Sequence, residues 1–286
     1  MRKVFNFSIG DIAISLENLT KEKYIVNNPV KSFLSQKSSR IDISLCLCQK
    51  LPNSHLYRKA VFKAKDSWSL YKINTDKGHT KYFIKTTASD AVFSDDFRHA
   101  SVRLKGRRLA GSIVNYPLDE IAIISSLSGG RGIMVHAAGI VRNNKAYLFA
   151  GASGAGKSTI TSFFRKEKNT LILSDDRIII RNKNRRLFAY GTPWHGEAKT
   201  YSPGHAPLGG IFFLAKSPEN RIRVLSSREA ACRLITAGFI PFWNRDSVAF
   251  SLCFCHKAGQ RCPAFELGFF PDKNIIKFLE NEVFLP

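Results

Sequence analysis

The chain has 286 residues, 44% of them hydrophobic and 23% charged, with a formal net charge of +22. That length allows one large domain or two modest ones with a real core, and the composition is ordinary for a soluble globular protein. The opening "MRKVFNFSIGDIAIS" is too broken by polar residues for a signal peptide, and no apolar run approaches a bilayer span, so the expectation is a cytoplasmic protein with no membrane partner.

The positive charge is spread along the chain: 21 Lys/Arg against 9 Asp/Glu in residues 1–115, and 23 against 13 in the remainder. Such a field draws in nucleotides, acidic peptides or nucleic acid alike, and it equally describes a solvated basic surface. No RNP-like, helix-turn-helix or zinc-finger motif supports a nucleic-acid partner.

Residues 1–115 read as a smaller, β-rich N-terminal domain. "SWSLYKINTDKGHTKYFIKTT" alternates in polarity around "TDKG", a hairpin signal, and "AVFSDDFRHASVRLKG" continues in that style. The period changes in "NYPLDEIAIISSLSGG", where Leu118, Ile121, Ile124 and Leu127 share one helical face and Gly129-Gly130 stops the helix. A second unit, residues 116–286, begins there.

In "RGIMVHAAGIVRNNKAYLFAGA" two apolar runs meet at Asn143-Asn144, a hairpin turn. With those asparagines at the turn centre, His136 falls opposite Gly151. The strand entering the glycine-rich stretch is then antiparallel to its predecessor, unlike the ordinary parallel nucleotide-binding sheet. His136 reads either as a site residue or as a core histidine satisfied by a neighbour.

Gly151-Ala152-Ser153-Gly154-Ala155-Gly156-Lys157-Ser158-Thr159 satisfies G-x-x-x-x-G-K-[ST], with strand before it and helix after. Its glycines let successive backbone N–H groups converge on an anion, helped by the helix N-terminus. Lys157 supplies a point charge for the outer phosphates and Ser158 a hydroxyl for Mg²⁺. In "NTLILSDDRIIIR" an apolar strand then runs into Asp175-Asp176. A carboxylate at a strand end beside a phosphate loop is placed to hold Mg²⁺, and a second to take a proton from an attacking hydroxyl. The bland alternative is a solvated Asp-Asp turn, with Arg177 balancing it.

Further along, "GTPWHGE" is either a plain turn packing Trp194 or a segment bringing His195 and Glu197 to the phosphate, a second metal or substrate. "KTYSPGHAPLGG" reads as a mobile loop, and "IPFWNRDSVAF" as aromatic core packing. The six cysteines stand at 46, 48, 232, 253, 255 and 262. "CLC" and "CFC" each look like alternate residues of a strand; structural thiols are expected, since Cys-x-Cys lacks the usual zinc spacing.

Taken in order, "MVHAAGIV", "GASGAGKST" and "LSDDRIII" resemble the catalytic domain of bacterial HPr kinase/phosphorylases, a family similar to phosphoenolpyruvate carboxykinases around the loop. The chain is similar, more narrowly, to an HPr-kinase-like branch linked to modified-peptide biosynthesis, through Gly191-Thr192-Pro193-Trp194-His195-Gly196 and the closing "PAFELGFFPDKNIIKFLE". The resemblance implies that Lys157 and Ser158 serve ATP phosphate and Mg²⁺. It implies that Asp175 and Asp176 supply a base and a metal contact, and that His136 stands near that pair. The family's later Gly-rich signature is missing, which argues against HPr as acceptor and against the reverse phosphorylase reaction.

The expectation is therefore an α/β protein, an HPr-kinase-like P-loop domain with a mixed, partly antiparallel sheet behind the β-rich domain. Its expected activity is ATP- and Mg²⁺-dependent transfer of the γ-phosphate to a hydroxyl, a Ser or Thr of a peptide or protein. Catalysis falls to Asp175, Asp176, His136 and Lys157, nucleotide binding to Gly151 through Thr159, and metal binding to Ser158 and Asp176. A non-catalytic ATP-binding regulatory or assembly protein is the main alternative, and a nucleic-acid-binding NTPase a weaker one. Whether the chain forms a homo-oligomer is left open.

Overall fold

Polarity that alternates with a period of two produces a sheet with one buried face, and this is what the first part of the chain forms. The computed structural model describes residues 3–26, 28–36, 38–52, 60–65, 67–74, 79–106, 113–114 and 116–284. Strands β1 (Lys3–Ile9), β2 (Ile12–Asn18), β3 (Ile43–Leu47), β4 (Ala60–Ala64), β5 (Trp68–Asn74), β6 (Thr80–Thr86), β7 (Ser89–Ser94) and β8 (His99–Leu104) lie in the order β1-β2-β3-β8-β7-β6-β5-β4. The pairs β2–β3 and β3–β8 are parallel, so this sheet too is mixed. In β2, Ile12, Ile14 and Leu16 are buried while Ala13, Ser15 and Glu17 are half-buried between them. Strands β5 and β6 pair antiparallel on either side of "TDKG", whose four residues lie outside the described ones. Helix α1 (Leu118–Ser128) follows, with Leu118, Ile121, Ile124 and Leu127 buried as expected, but Ala122 and Ile123 as well.

By contacts the chain forms two units, Met1–Ser126 with Pro241–Arg245, and Leu127–Ile240 with Asp246–Pro286. The division falls inside α1 rather than at 115/116, and the short segment around Trp243 groups with the first unit. There Trp243 meets Trp68 edge-on at 6.3 Å, and Phe242 meets Phe62 at 4.9 Å. Phe242 nevertheless stays 56% exposed, so "IPFWNRDSVAF" is only partly core.

The second unit is built on a sheet buried on both faces, which explains its continuous apolar runs. Its strands are β9 (Gly132–Arg142), β10 (Lys145–Ala150), β11 (Leu171–Ser174), β12 (Arg177–Lys183), β13 (Arg186–Tyr190), β14 (His205–Lys216), β15 (Arg221–Val224) and β16 (Ala264–Phe269). Helices α2 (Lys157–Phe164), α3 (Ser227–Ala237), α4 (Arg245–Arg261) and α5 (Asn274–Glu282) cover it. On β10, Ala146, Leu148 and Ala150 face the cluster holding Ala230 and Leu234 of α3 and Phe254 and Ala258 of α4. Tyr147 and Phe149 face the opposite cluster, with Ile160 and Phe164 of α2 and Ile275 and Leu279 of α5.

Strand β10 is antiparallel to β9 and parallel to β14, so the sheet is mixed as expected. Asn143 and Asn144 have φ of 49° and 58°, the left-handed pair of a two-residue hairpin turn. Their register runs from Lys145↔Arg142 to Ala150↔Ala137, and one more step brings His136 level with Gly151.

Two expectations give way. The "CFC" residues lie inside α4, not on a strand: Cys255 is buried and Cys253 exposed, as a 3.6-residue period requires for positions two apart. The second half of "KTYSPGHAPLGG" is the start of β14, since His205, Ala206 and Pro207 pair with Tyr190, Ala189 and Phe188. No helix of the described residues is long and apolar enough to cross a membrane.

Candidate active site

The central strand β9 runs straight through the second unit while its partner on one edge changes, from β12 at residues 132–136 to β11 at residues 139–141. Asp175 and Asp176 are the two residues where that partner bends. Ser174 makes the bend: its hydroxyl accepts from the N–H groups of Asp176 and Arg177, each at 3.3 Å, and donates to the Trp194 carbonyl at 3.0 Å. Thr192 Oγ1 donates to the Arg177 carbonyl at 2.7 Å. The segment from Gly191 to Trp194 is thereby stitched across the bend. Gly191 belongs there because a Cβ would stand 1.9 Å from the Ser202 carbonyl oxygen.

The bend brings both aspartates to one cleft of about 460 Å³, lined also by His136, Ser153, Gly154, Gly156, Lys157, Ser158, Thr159, Gly196 and Glu197. The expected loop residues Gly151, Ala152 and Ala155 do not line the cleft. Gly156 caps α2 with φ 104°, a left-handed conformation that glycine adopts without strain. The first turn of α2 then lines the cleft through Lys157, Ser158 and Thr159, and helix N-termini of this kind suit an anion. The Lys157 ammonium is buried and donates to the carbonyls of Gly151 and Ala152 at 2.8 and 3.0 Å. Burial pushes its pKa down.

His136, on β9 and opposite Arg177 of β12, places Nδ1 3.2 Å from Asp176 Oδ1. The distance alone would suit an ion pair. Burial, followed by the charges of Lys157 and Arg177, instead holds the imidazole pKa down at about 4, so the ring is neutral. We assign the contact as a hydrogen bond from a neutral ring, its proton placed on Nδ1 by its carboxylate partner, which leaves Nε2 an acceptor. The other Asp176 oxygen is held by the Arg177 guanidinium, itself over the Phe239 ring at 5.2 Å. Arg177 thus does balance the acidic pair, through Asp176.

Asp175 is differently engaged. Its carboxylate accepts the backbone N–H groups of Gly196 (3.0 Å), Ala198 (2.8 Å) and Thr200 (3.3 Å). His195 does not line the cleft; its ring stacks on Tyr201 at 5.6 Å and its Nδ1 meets the Gly196 carbonyl. Glu197 does line it. Arg165, just past α2, donates to the Ala198 carbonyl at 2.6 Å and bonds Thr200 Oγ1. Sequence reasoning missed Ser174, Thr192 and Arg165. A hydroxyl before Asp-Asp is a turn signal that marks Ser174, whereas nothing local marks Arg165.

Oxygen donors suit a hard cation, and Ser158 and Asp176 share the cleft wall. Among the described residues no group of three or more His, Cys, Asp or Glu side chains forms a cage. A hydroxyl and a carboxylate are donors of the kind Mg²⁺ takes beside waters and phosphate oxygens.

No family model matches the chain, and no curated protein matches it. Among solved structures, the HPr(Ser) kinase/phosphatase from Coxiella burnetii is similar, with 12% identity over 52% of this chain and 93% of that one, at a TM-score of 0.32. A likeness of that strength carries no argument about fold or chemistry. The mixed α/β architecture and the site stand on this chain's own residues.

Proposed function

We propose that the protein is an ATP- and Mg²⁺-dependent kinase that transfers the γ-phosphate to a hydroxyl, a Ser or Thr of a peptide or protein. One observation carries the reading: the Gly151–Ser158 loop, at the strand-to-helix junction its chemistry needs, opens on the same cleft as a carboxylate held by a neutral histidine. The HPr-kinase resemblance of "MVHAAGIV", "GASGAGKST" and "LSDDRIII" supports it.

In this reading the loop amides and the Lys157 ammonium bind and orient the phosphates, and the Ser158 hydroxyl, with waters and phosphate oxygens, would hold Mg²⁺. The cation, when bound, neutralises phosphate charge. Asp176 accepts the hydrogen bond of the incoming hydroxyl and takes its proton, while His136 and Arg177 keep that carboxylate from rotating. Positioning and charge stabilisation supply most of the rate, as phosphoryl transfer generally requires.

Incubation with γ-labelled Mg·ATP and a library of Ser/Thr peptides tests this. Wild type should label a peptide hydroxyl, and Asp176→Asn should still bind ATP but lose transfer by at least about a hundredfold, within the usual range for general-base removal. ATP binding by wild type with no transfer to any acceptor would leave a nucleotide-binding regulatory protein instead.

A further inference from the structure

Two adjacent aspartates at a phosphate loop invite one shared role, yet their carboxylates are occupied in different ways. Asp176 meets two side chains, His136 and Arg177. Asp175, 1% exposed, meets only main chain: the amides of Gly196, Ala198 and Thr200 all point at it. Its own N–H donates to the Thr200 carbonyl at 3.3 Å, and Ser174 bridges to Tyr201. The segment it grips is a tight turn, closed by the Lys199 N–H on the Gly196 carbonyl at 3.2 Å, with Lys199 at φ 49°. A non-glycine residue in that conformation costs roughly 1–3 kcal/mol and persists only when its surroundings enforce it. Asp175 from one side and Arg165 from the other supply that enforcement.

The held turn carries Glu197 at its first corner, and Glu197 lines the cleft with Lys157, Ser158 and Asp176. The geometry points to a division of the pair: Asp175 is a positioning residue that clamps the Gly196–Thr200 turn and thereby sets the wall of the cleft that carries Glu197, while Asp176 alone faces the reacting groups. The role of Asp176 rests on the kinase reading; the clamp does not. Arg165 leaves the end of the helix whose first turn holds Lys157 and Ser158, so the phosphate loop and the far wall are tied through one helix.

Amide hydrogen exchange on the full chain tests the clamp without any acceptor. In Asp175→Ala the amides of Gly196, Ala198 and Thr200 should exchange at least about tenfold faster, since local opening of this turn no longer breaks three carboxylate bonds. Asp175→Asn keeps an accepting carbonyl oxygen and should retain part of the protection. Asp176→Asn should leave all three amides as in wild type. The amides of Leu148 and Phe212 on the central strands report global unfolding; should the alanine variant fail there, Asp175→Asn is the variant read. Calorimetry of Mg·ATP binding is read beside exchange on the same Asp175 variants. Unchanged exchange in both Asp175 variants overturns the clamp, as does protection retained alongside a tenfold loss of Mg·ATP affinity, which would make Asp175 a nucleotide or metal contact. A wild type that transfers no phosphate would remove the kinase reading and leave the exchange result standing.

Discussion

Removing the His136 ring should flatten part of the protein's acid sensitivity, and the size of the effect follows from where the ring sits. Its pKa is about 4 in the folded chain against an ordinary 6.5, because burial and the charges of Lys157 and Arg177 oppose protonation. Between those values the unfolded chain binds the proton and the folded chain does not, so stability is full above about pH 6.5 and falls as the pH drops toward 4. From pH 7.5 to 5.0 a fully sheltered ring would lose about 2 kcal/mol. The His136 side chain is 35% exposed, and solvent screening reduces that to about 1 kcal/mol. Urea denaturation of wild type and His136→Gln at the two pH values isolates the contribution, because other titrating groups cancel in the difference. Wild type should lose about 1 kcal/mol more than the variant. Equal losses would mean the ring is not held neutral. A wild type that gains on the variant upon acidification would mean a cationic histidine paired with Asp176, and the orienting role assigned to the neutral ring would fall.

Three further outcomes are expected. Lys157→Ala should weaken Mg·ATP binding at least tenfold by calorimetry, about 1.4 kcal/mol, with little change in unliganded Tm; unchanged affinity would remove the phosphate-loop assignment. Gly191→Ala should cost about 3 kcal/mol in urea denaturation, because the new Cβ would collide with the Ser202 and Leu173 carbonyl oxygens. Cys232 and Cys253 are exposed and should react rapidly with a thiol reagent, whereas Cys255 and Cys262, buried and pushed up to about 12, should react only on unfolding.

The β9–β10 hairpin was legible because two asparagines at a two-residue turn fix every later pairing, and that register alone carries His136 to the loop. The bend at Asp175-Asp176 was legible in kind but not in consequence. A strand that stops can turn both carboxylates to one cleft, but which partners each finds depends on a segment some twenty residues downstream. Cys253-Phe254-Cys255 misled because three residues cannot separate a period of two from one of 3.6; the wider spacing of buried Ser251, Cys255, Ala258 and Cys262 is helical. The glycines before β14's core read as loop, yet Gly209 sits where the Tyr147 ring of β10 lies, 3.0 Å from where a Cβ would stand. A glycine under an aromatic ring on the next strand is a packing device, and only the pairing of distant strands reveals it.

The burial of Lys157 ties these features to binding. An ammonium taken out of water loses hydration that two neutral carbonyls, those of Gly151 and Ala152, only partly replace, and its lowered pKa expresses the shortfall. A phosphate oxygen offers a charge-assisted bond about twice as strong as a neutral one, and the first residues of α2, Lys157, Ser158 and Thr159, line the same space. Burial that disfavours the bare cation therefore favours its exchange of carbonyl for phosphate. Burial first, and then the charges of Lys157 and Arg177, keep His136 neutral, so the group beside Asp176 adds no charge there. On the proposed kinase reading, ammonium and amides would take the phosphate, and the neutral imidazole would orient Asp176 for the hydroxyl.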